Sequence, residues 1–278
     1  MRERHKIYVR RLAGQPKPWT TDPVLQNYRF CNVYRELDTV TQWIRTRLRE
    51  PYADHPDLWF LMAAARQINW PETLHEMLLG GVLVPGKKGW RPEAARQVML
   101  RRQARGDKLY TGAYMLNAHG RGPEDPSDKA FFTCHLVLDS VWQNRDSIRK
   151  AFAGRTMEGA WRALLPHHGW GGFTAYEVVC DARFTRYGAN WTDIDSWSNA
   201  GPGAKRGLYR LLDEPVSTVM SQDRALPLMR HLHATITKTW LATPALELRE
   251  IEHSLCEFDK FERARLNQGR PRARYQGV

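Results

Sequence analysis

The sequence predicts a mainly α-helical protein. Apolar residues recur at helical spacing along most of the 278-residue chain, and proline or an N-capping residue precedes several of these runs. Strand patterns are few: only KLYTGAYML, residues 108–116, fits a strand or an extended segment. Because 42% of the residues are hydrophobic, the chain can bury a substantial core.

The first group of predicted helices lies in the N-terminal half. Asp22 suits the N-cap position and Pro23 the first position of a helix, and the apolar spacing extends this helix over residues 23–48. Further helices in this half are predicted at residues 57–67, 71–79 and 92–105.

The segment Gly120–Asp128, GRGPEDPSD, has the most loop-like composition in the chain. It predicts a boundary between an N-terminal lobe, residues 1–125, and a C-terminal lobe, residues 126–278. Beyond it, helices are predicted at residues 130–152 and 157–165. The basic N-terminal segment is expected to pack on the C-terminal lobe.

A strong positive charge bears on what the protein binds. Lys and Arg number 42 against 30 Asp and Glu, which gives a formal net charge of +12. This excess favours a polyanionic partner, with nucleic acid first and a membrane surface second. No run of about 18 apolar residues is present, so no membrane-spanning segment is expected.

Cysteine usage and the first residues predict a cytoplasmic protein. The four cysteines are dispersed and form no C-x-x-C pair, which argues against a disulfide framework and a four-cysteine zinc site. The opening residues, MRERHKIYVRR, contain no apolar stretch of the kind that a secretory signal needs. No metal site is expected.

A glycine-rich turn lies within residues 164–181. Gly169, Trp170 and Gly171 follow a proline-broken helix, and after Gly172 the next helical run begins near Phe173, in a pattern typical of a helix–hairpin–helix. The backbone N–H groups of such a turn bind nucleic-acid phosphates without reading sequence. An ordinary turn between two helices is the alternative.

A second glycine-containing segment, residues 201–207, reads GPGAKRG. Gly201 and Gly203 flank a proline at the start of a predicted helix that carries Lys205 and Arg206. Backbone N–H groups, the helix dipole and these cations would together bind a phosphate or pyrophosphate. An ordinary helix start remains the alternative, because the P-loop pattern is absent.

The third segment, residues 251–263, combines acids and bases on one predicted helix. Helical spacing places His253, Glu257 and Lys260 along one stripe, and Asp259 lies beside them. Such groups can transfer protons. The alternative is a solvated, charged helix.

The N-terminal segment is rich in arginine and aromatic residues. Arg10 and Arg11 precede a proline-rich turn that contains Trp19 and Thr20. Further on, Arg35 and Asp38 are three residues apart and able to pair.

Four segments, in this order, resemble a known family. They are RHKIYVRR with GQPKPWTTDPVLQNYRFCNVYRELD, LPHHGWGGFTAYEVVCD, NAGPGAKRGLYRL and IEHSLCEFDKFER. Together they are similar to the alpha-glutamyl/putrescinyl thymine pyrophosphorylases, which are bacteriophage enzymes related to the helical domain of 5-hydroxymethyluracil DNA kinases. The resemblance covers residues 4 to about 275 and is weakest between residues 50 and 150.

The resemblance implies a fold and a reaction. The fold is the two-lobed helix–hairpin–helix DNA glycosylase type, with the target base between the lobes. The reaction transfers an amino acid or polyamine onto the 5-methylene of pyrophosphorylated 5-hydroxymethyluracil in DNA and displaces pyrophosphate. An upstream 5-hydroxymethyluracil DNA kinase would belong to the same pathway. No cofactor is expected for the displacement, and Mg²⁺ would be an optional aid in neutralising pyrophosphate.

The resemblance also suggests roles for the residues named above. For proton transfer, Asp195 comes first, 24 residues after Gly171, followed by Glu257 and His253, with Asp259 and Lys260 beside them. Pyrophosphate or the amine-bearing substrate would contact Arg10, Arg11, Arg35, Asp38, Gly201, Gly203, Lys205 and Arg206. DNA would contact Gly169, Trp170, Gly171, Gly172, Trp19 and Thr20, with a tryptophan stacked on the target base.

Two other functions fit the same sequence. A helix–hairpin–helix DNA glycosylase would hydrolyse the base–sugar bond, although no lysine of the kind a lyase uses follows the hairpin. A non-catalytic DNA-binding module would keep the hairpin and the basic surface but would have no need of the other clusters.

Overall fold

In the structure, a computed structural model, the described residues are 1–111, 128–216, 219–240, 242, 244–269, 271 and 274–275. They are mainly helical, and no strand forms among them beyond two isolated bridges, so the predicted class is confirmed. The helices, in chain order, are α1 (Arg2–Leu12), α2 (Pro23–Asn27), α3 (Thr39–Ile44), α4 (Leu58–Ile68), α5 (Pro71–Leu79), α6 (Pro92–Ala104), α7 (Lys129–Phe131), α8 (Asp139–Gln143), α9 (Arg145–Phe152), α10 (Met157–Leu164), α11 (Gly172–Ala182), α12 (Pro202–Leu211), α13 (Gln222–Thr237) and α14 (Leu248–Arg265).

Two compact units make up the chain. One contains residues 1–38 together with 194–278, and the other contains residues 39–193. The predicted boundary at 120–128 lies, apart from Asp128, outside the described residues. The lobes 1–125 and 126–278 therefore remain a prediction, whereas the compact units divide the chain after residues 38 and 193.

The helix predicted over residues 23–48 is broken, and this corrects the sequence analysis. Asp22 does cap α2, because its Oδ1 accepts hydrogen bonds from the backbone N–H of Val24 and Leu25 at 2.9 Å. The helix nevertheless ends at Asn27, and Tyr28 is extended. Helical structure returns as a 3-10 turn, Arg35–Leu37, followed by α3 and a π-helical segment, Arg45–Arg49. Val33, within the break, is fully buried, so its apolar character reflects the core rather than a helix.

Two helices, α12 and α14, form the centre of the unit built from residues 1–38 and 194–278. Their backbones approach closely at two glycines of α12. A Cβ atom added to Gly203 would lie 2.4 Å from Cys256 Sγ, and one added to Gly207 would lie 2.3 Å from the Leu255 carbonyl oxygen. The contact therefore requires glycine at both positions.

The unit of residues 39–193 is organised around α4, in which every residue is buried. Besides its apolar side chains, α4 contributes an arginine to a buried ion pair with α11. Arg66 donates to both carboxylate oxygens of Asp181, at 2.6 and 2.7 Å, and both side chains are almost completely buried. Within the described residues, no helix is long and apolar enough to cross a membrane.

Candidate functional site

Helix α14 carries most of the acid–base residues that the sequence singles out. The helix begins with a capping box in which the backbone N–H of Glu247 donates to Glu250 Oε2 at 2.9 Å. Along its length Glu252, His253, Glu257 and Asp259 are buried. Buried charged groups need partners. The partners of these residues form two clusters, one around Glu257 and one around Asp259.

The first cluster surrounds the carboxylate of Glu257. Its Oε2 accepts a hydrogen bond from the backbone N–H of Cys31 at 3.0 Å and lies 2.9 Å from Lys260 Nζ. Lys260 also lies 4.7 Å from the ring centroid of Phe30. The predicted pairing of Glu257 and Lys260 on one stripe of the helix is therefore observed.

A second ion pair and a buried arginine complete this cluster. Arg35 Nε lies 2.6 Å from Asp38 Oδ2. Arg4, on α1, donates to Ser254 Oγ at 3.0 Å, whereas its Nε is buried and has no hydrogen-bond partner among the described residues. Burial lowers the pKa of Arg4, and the charges of Glu257 and Asp38 oppose this shift. We call Arg4, Arg35, Asp38, Glu257 and Lys260 the Glu257 cluster.

The second cluster surrounds Asp259, whose side chain is 1% exposed. Three arginines contact its carboxylate through their Nε atoms: Arg206 at 2.8 Å, Arg210 at 2.9 Å and Arg263 at 3.2 Å. We call these four residues the Asp259 cluster. Three guanidinium groups thus surround the Asp259 carboxylate, which the sequence analysis names for proton transfer.

The GPG segment contains an anion supplied by the chain itself. The backbone N–H of Gly201 donates to Glu252 Oε1 at 3.0 Å. Gly203 faces Cys256, so its small size serves the contact between α12 and α14. Lys205 forms no ion pair or side-chain hydrogen bond with a described residue, and it is half-buried. The segment opens α12 as predicted, and Glu252 accepts from the Gly201 N–H, one of the donors that the sequence analysis assigns to a phosphate.

The two other acid–base candidates, Asp195 and His253, each take part in a contact between a histidine and a carboxylate. Asp195, with a side chain 61% exposed, has its Oδ1 3.7 Å from His233 Nε2. His233 Nε2 is also 2.6 Å from the carbonyl oxygen of Leu246, which fixes that ring. His253 Nε2 lies 3.7 Å from Glu252 Oε2. Asp193 is a structural residue, because its carboxylate accepts from the backbone N–H groups at the start of α10.

The proline-rich turn after α1 combines cations with aromatic rings. Arg11 lies 5.3 Å above the Trp19 ring. Trp19 Nε1 donates to the Gln15 carbonyl oxygen at 2.7 Å. Arg10 is paired with Glu3 at 2.9 Å and also donates to the Trp19 carbonyl oxygen. Thr20 is buried, which corrects its assignment to a DNA-contacting surface.

The predicted hairpin segment joins α10 and α11 in the unit of residues 39–193. Gly169 has φ +75°, a backbone conformation that favours glycine. Trp170 is buried, and its Nε1 donates to the Val137 carbonyl oxygen at 3.1 Å. Its ring is therefore part of the core, which corrects the expectation that it stacks on a base. Gly171 is the N-cap of α11, and Gly172 is its first residue.

The structure brings together candidates from three separate segments of the sequence. Arg35 and Asp38 join Glu257 and Lys260, and Arg206 joins Asp259. Arg4 is not among the site residues predicted from the sequence, because it is one of many basic residues near the N-terminus and no local motif distinguishes it from the others. The described residues hold no group of three His, Cys, Asp or Glu side chains suited to a metal ion.

Comparison with known proteins identifies the family. The model for the helical domain of 5-hmdU DNA kinase matches residues 1–270, and the chain belongs to this family. A 5-hmdU DNA kinase of Bacillus phage SP10 is 28% identical over 228 residues, which cover 76% of this chain and 35% of the kinase. The chain thus spans about a third of the length of that curated relative. No solved structure matches the chain.

Proposed function

We propose that the protein modifies thymine in phage DNA by transferring an amino acid or a polyamine onto pyrophosphorylated 5-hydroxymethyluracil. Family membership supports a role in thymine modification. The observation that carries the proposal is the Glu257 cluster, in which the ion pairs Arg35–Asp38 and Glu257–Lys260 both lie within electrostatic range of Arg4. A DNA-binding module has no need of such a cluster.

The charges of this cluster suit an anionic leaving group beside an amine. Arg4, Arg35 and Lys260 exceed their two carboxylates by one positive charge, and the buried Nε of Arg4 has no hydrogen-bond acceptor among the described residues. Cations of this kind stabilise charge that develops on a departing pyrophosphate. An amino-acid carboxylate would be bound by the same chemistry.

The reaction needs one proton acceptor. The amine nitrogen forms a bond to the 5-methylene carbon, and the bond from that carbon to the pyrophosphate oxygen breaks. The leaving pyrophosphate keeps the electron pair, and the attacking amine loses a proton. Glu257 is the acceptor that we propose, because the Cys31 N–H and Lys260 position its carboxylate beside the cations that would bind pyrophosphate. The exposed Asp195 is the second choice.

The proposal extends to the fold and the pathway. A two-lobed helix–hairpin–helix arrangement would present the DNA, with the hairpin of α10 and α11 against the backbone. An upstream 5-hydroxymethyluracil DNA kinase would begin the route to the pyrophosphorylated base, in the cytoplasm of the infected host. The displacement itself would need no cofactor, with Mg²⁺ as an optional aid in neutralising pyrophosphate.

Pyrophosphate release tests this proposal. The full chain is incubated with DNA that carries pyrophosphorylated 5-hydroxymethyluracil and with a pool of amino acids and polyamines. The Glu257→Gln variant keeps an oxygen for the Cys31 N–H but loses the charge, so release should slow by about 10²–10⁴-fold. Glu262→Gln is the matched control on the same helix, where Glu262 pairs with Arg265 instead.

The outcomes separate the possible functions. Amine-dependent release that falls in Glu257→Gln and not in the control supports the transferase. Equal rates in the two variants would remove Glu257 from the mechanism, and the same measurement on Asp195→Asn then tests the second acceptor. Release of free base with abasic sites, rather than of pyrophosphate, would show a glycosylase and would contradict the proposal.

A further inference from the structure

The Asp259 cluster has more positive than negative charges. One carboxylate, almost completely buried, faces three guanidinium groups from α12 and α14. Two positive charges therefore remain after Asp259 is counted. Arg210 is 11% exposed, whereas Arg206 and Arg263 are each 39% exposed. Arg206 and Arg263 thus face Asp259 through the Nε side of the guanidinium group and are partly accessible to solvent.

The way in which the arginines contact Asp259 leaves hydrogen-bond donors unused. Arg206 and Arg210 donate to Asp259 through their Nε atoms, whereas Arg263 Nε lies 3.2 Å from the carboxylate without a hydrogen bond. The terminal nitrogen of Arg210 also donates to Gln268 Oε1 at 3.1 Å. The terminal nitrogens of Arg206 and Arg263, by contrast, donate no hydrogen bond to any described residue. Four N–H-bearing nitrogens on two guanidinium groups are thus available to a ligand.

We propose that the Asp259 cluster is a phosphate-binding site in which Arg206 and Arg263 hold the phosphate. Paired, planar guanidinium groups match phosphate oxygens, and a DNA phosphate would offset one of the two excess positive charges. The phosphate would come from the DNA backbone or from pyrophosphate. This site is separate from the Glu257 cluster, and its test requires no turnover.

Asp259 acts in this site as a positioning residue. It holds Arg206 by a hydrogen bond and Arg263 by an ion pair at 3.2 Å. Both contacts restrict the rotation of a long side chain, so less entropy is lost when the phosphate binds. Its burial keeps it from the phosphate itself. The acidic residue that the sequence suggested for proton transfer is thereby assigned to holding cations.

Two double variants with equal loss of charge test the site in the full-length chain. Arg206→Gln with Arg263→Gln removes the two open donors and leaves Asp259 paired with Arg210. The control, Arg224→Gln with Arg265→Gln, removes two exposed arginines that pair with Glu214 and Glu262. Binding to a labelled DNA duplex is measured by fluorescence anisotropy across a range of salt concentrations, and binding to pyrophosphate is measured by calorimetry.

The proposal predicts a loss in the first variant that the control does not show. For a DNA phosphate, the slope of log affinity against log salt should fall by about one to two, with pyrophosphate binding unchanged. For pyrophosphate, its affinity should fall about tenfold or more, with the salt slope unchanged. Equal behaviour of the two double variants towards both ligands, or no binding of either ligand by the unmodified protein, would overturn the proposal.

An Asp259→Asn variant separates positioning from net charge. The change raises the net charge by one, so a purely electrostatic surface would bind phosphate more tightly. A site that depends on fixed arginines would bind the same ligand more weakly, and circular dichroism would check that the variant is folded. Tighter binding by folded Asp259→Asn would remove the positioning role.

Discussion

The close contact between α12 and α14 predicts that Gly207→Ala lowers the free energy of unfolding, whereas helix propensity alone predicts that the substitution raises it. In Gly207→Ala, the new methyl group would lie 2.3 Å from the carbonyl oxygen of Leu255, a backbone atom that cannot rotate away. Ordinary contacts of this kind begin at 3.4 Å, so the helices would have to separate by roughly 1 Å. Helix α12 also carries Arg206 and Arg210, which would move away from Asp259.

The size of the effect follows from two opposing contributions. Overpacking against a rigid group costs about 3 kcal/mol, at the upper end of the usual range. Replacing glycine by alanine inside a helix favours folding by about 1 kcal/mol. The free energy of unfolding should therefore fall by about 2 kcal/mol. Helix propensity alone would instead raise it.

Urea unfolding measures this difference. Gly86→Ala is the control, because nothing lies within 4 Å of the position where its Cβ would be placed. We expect the unfolding midpoint of Gly207→Ala to fall clearly below that of the unmodified protein, while Gly86→Ala stays close to it. A midpoint for Gly207→Ala at or above that of the unmodified protein would refute the close helix contact.

Two further predictions concern buried charge. Asp181→Asn removes the carboxylate 2.6 Å from the buried Arg66 and leaves Glu177 at 3.9 Å, so the free energy of unfolding should fall by about 3 kcal/mol. Glu158→Gln, at a more exposed ion pair, should change it by less than about 1 kcal/mol, and equal urea midpoints would contradict this. Burial, and secondarily Arg4, lowers the pKa of His5 in the folded protein. Stability should therefore decline as the pH falls below about 6.5, where the unfolded chain gains a proton, and His5→Gln should weaken that decline while the control His75→Gln should not.

Local chemistry explains which parts of the fold the sequence predicts. Asp22 caps α2 because its acceptor is only two or three residues from the donors that it satisfies. The end of that helix could not be predicted in the same way. The backbone N–H of Cys31 donates to Glu257, 226 residues away, and this long-range contact satisfies a donor that helical structure would otherwise satisfy.

In the candidate site, too, contacts between neighbours in sequence are predictable, and contacts between distant segments are not. Helical spacing alone predicts that Glu257 and Lys260 meet, and they do. The partners of Asp259 come from α12 as well as from its own helix, so only the folded chain shows that its carboxylate is surrounded by arginines. Trp170 fits a turn in the sequence, but its indole N–H reaches Val137 and the ring joins the core.

Mass spectrometry of digested nucleosides tests the central claim most directly. DNA that carries pyrophosphorylated 5-hydroxymethyluracil is incubated with the full chain and with a pool of amino acids and polyamines labelled with ¹⁵N. The proposed transfer predicts a new nucleoside that carries the labelled amine on the 5-methylene, together with one released pyrophosphate for each base modified. Nucleosides without the label, whether unchanged or lost as free base, would contradict it.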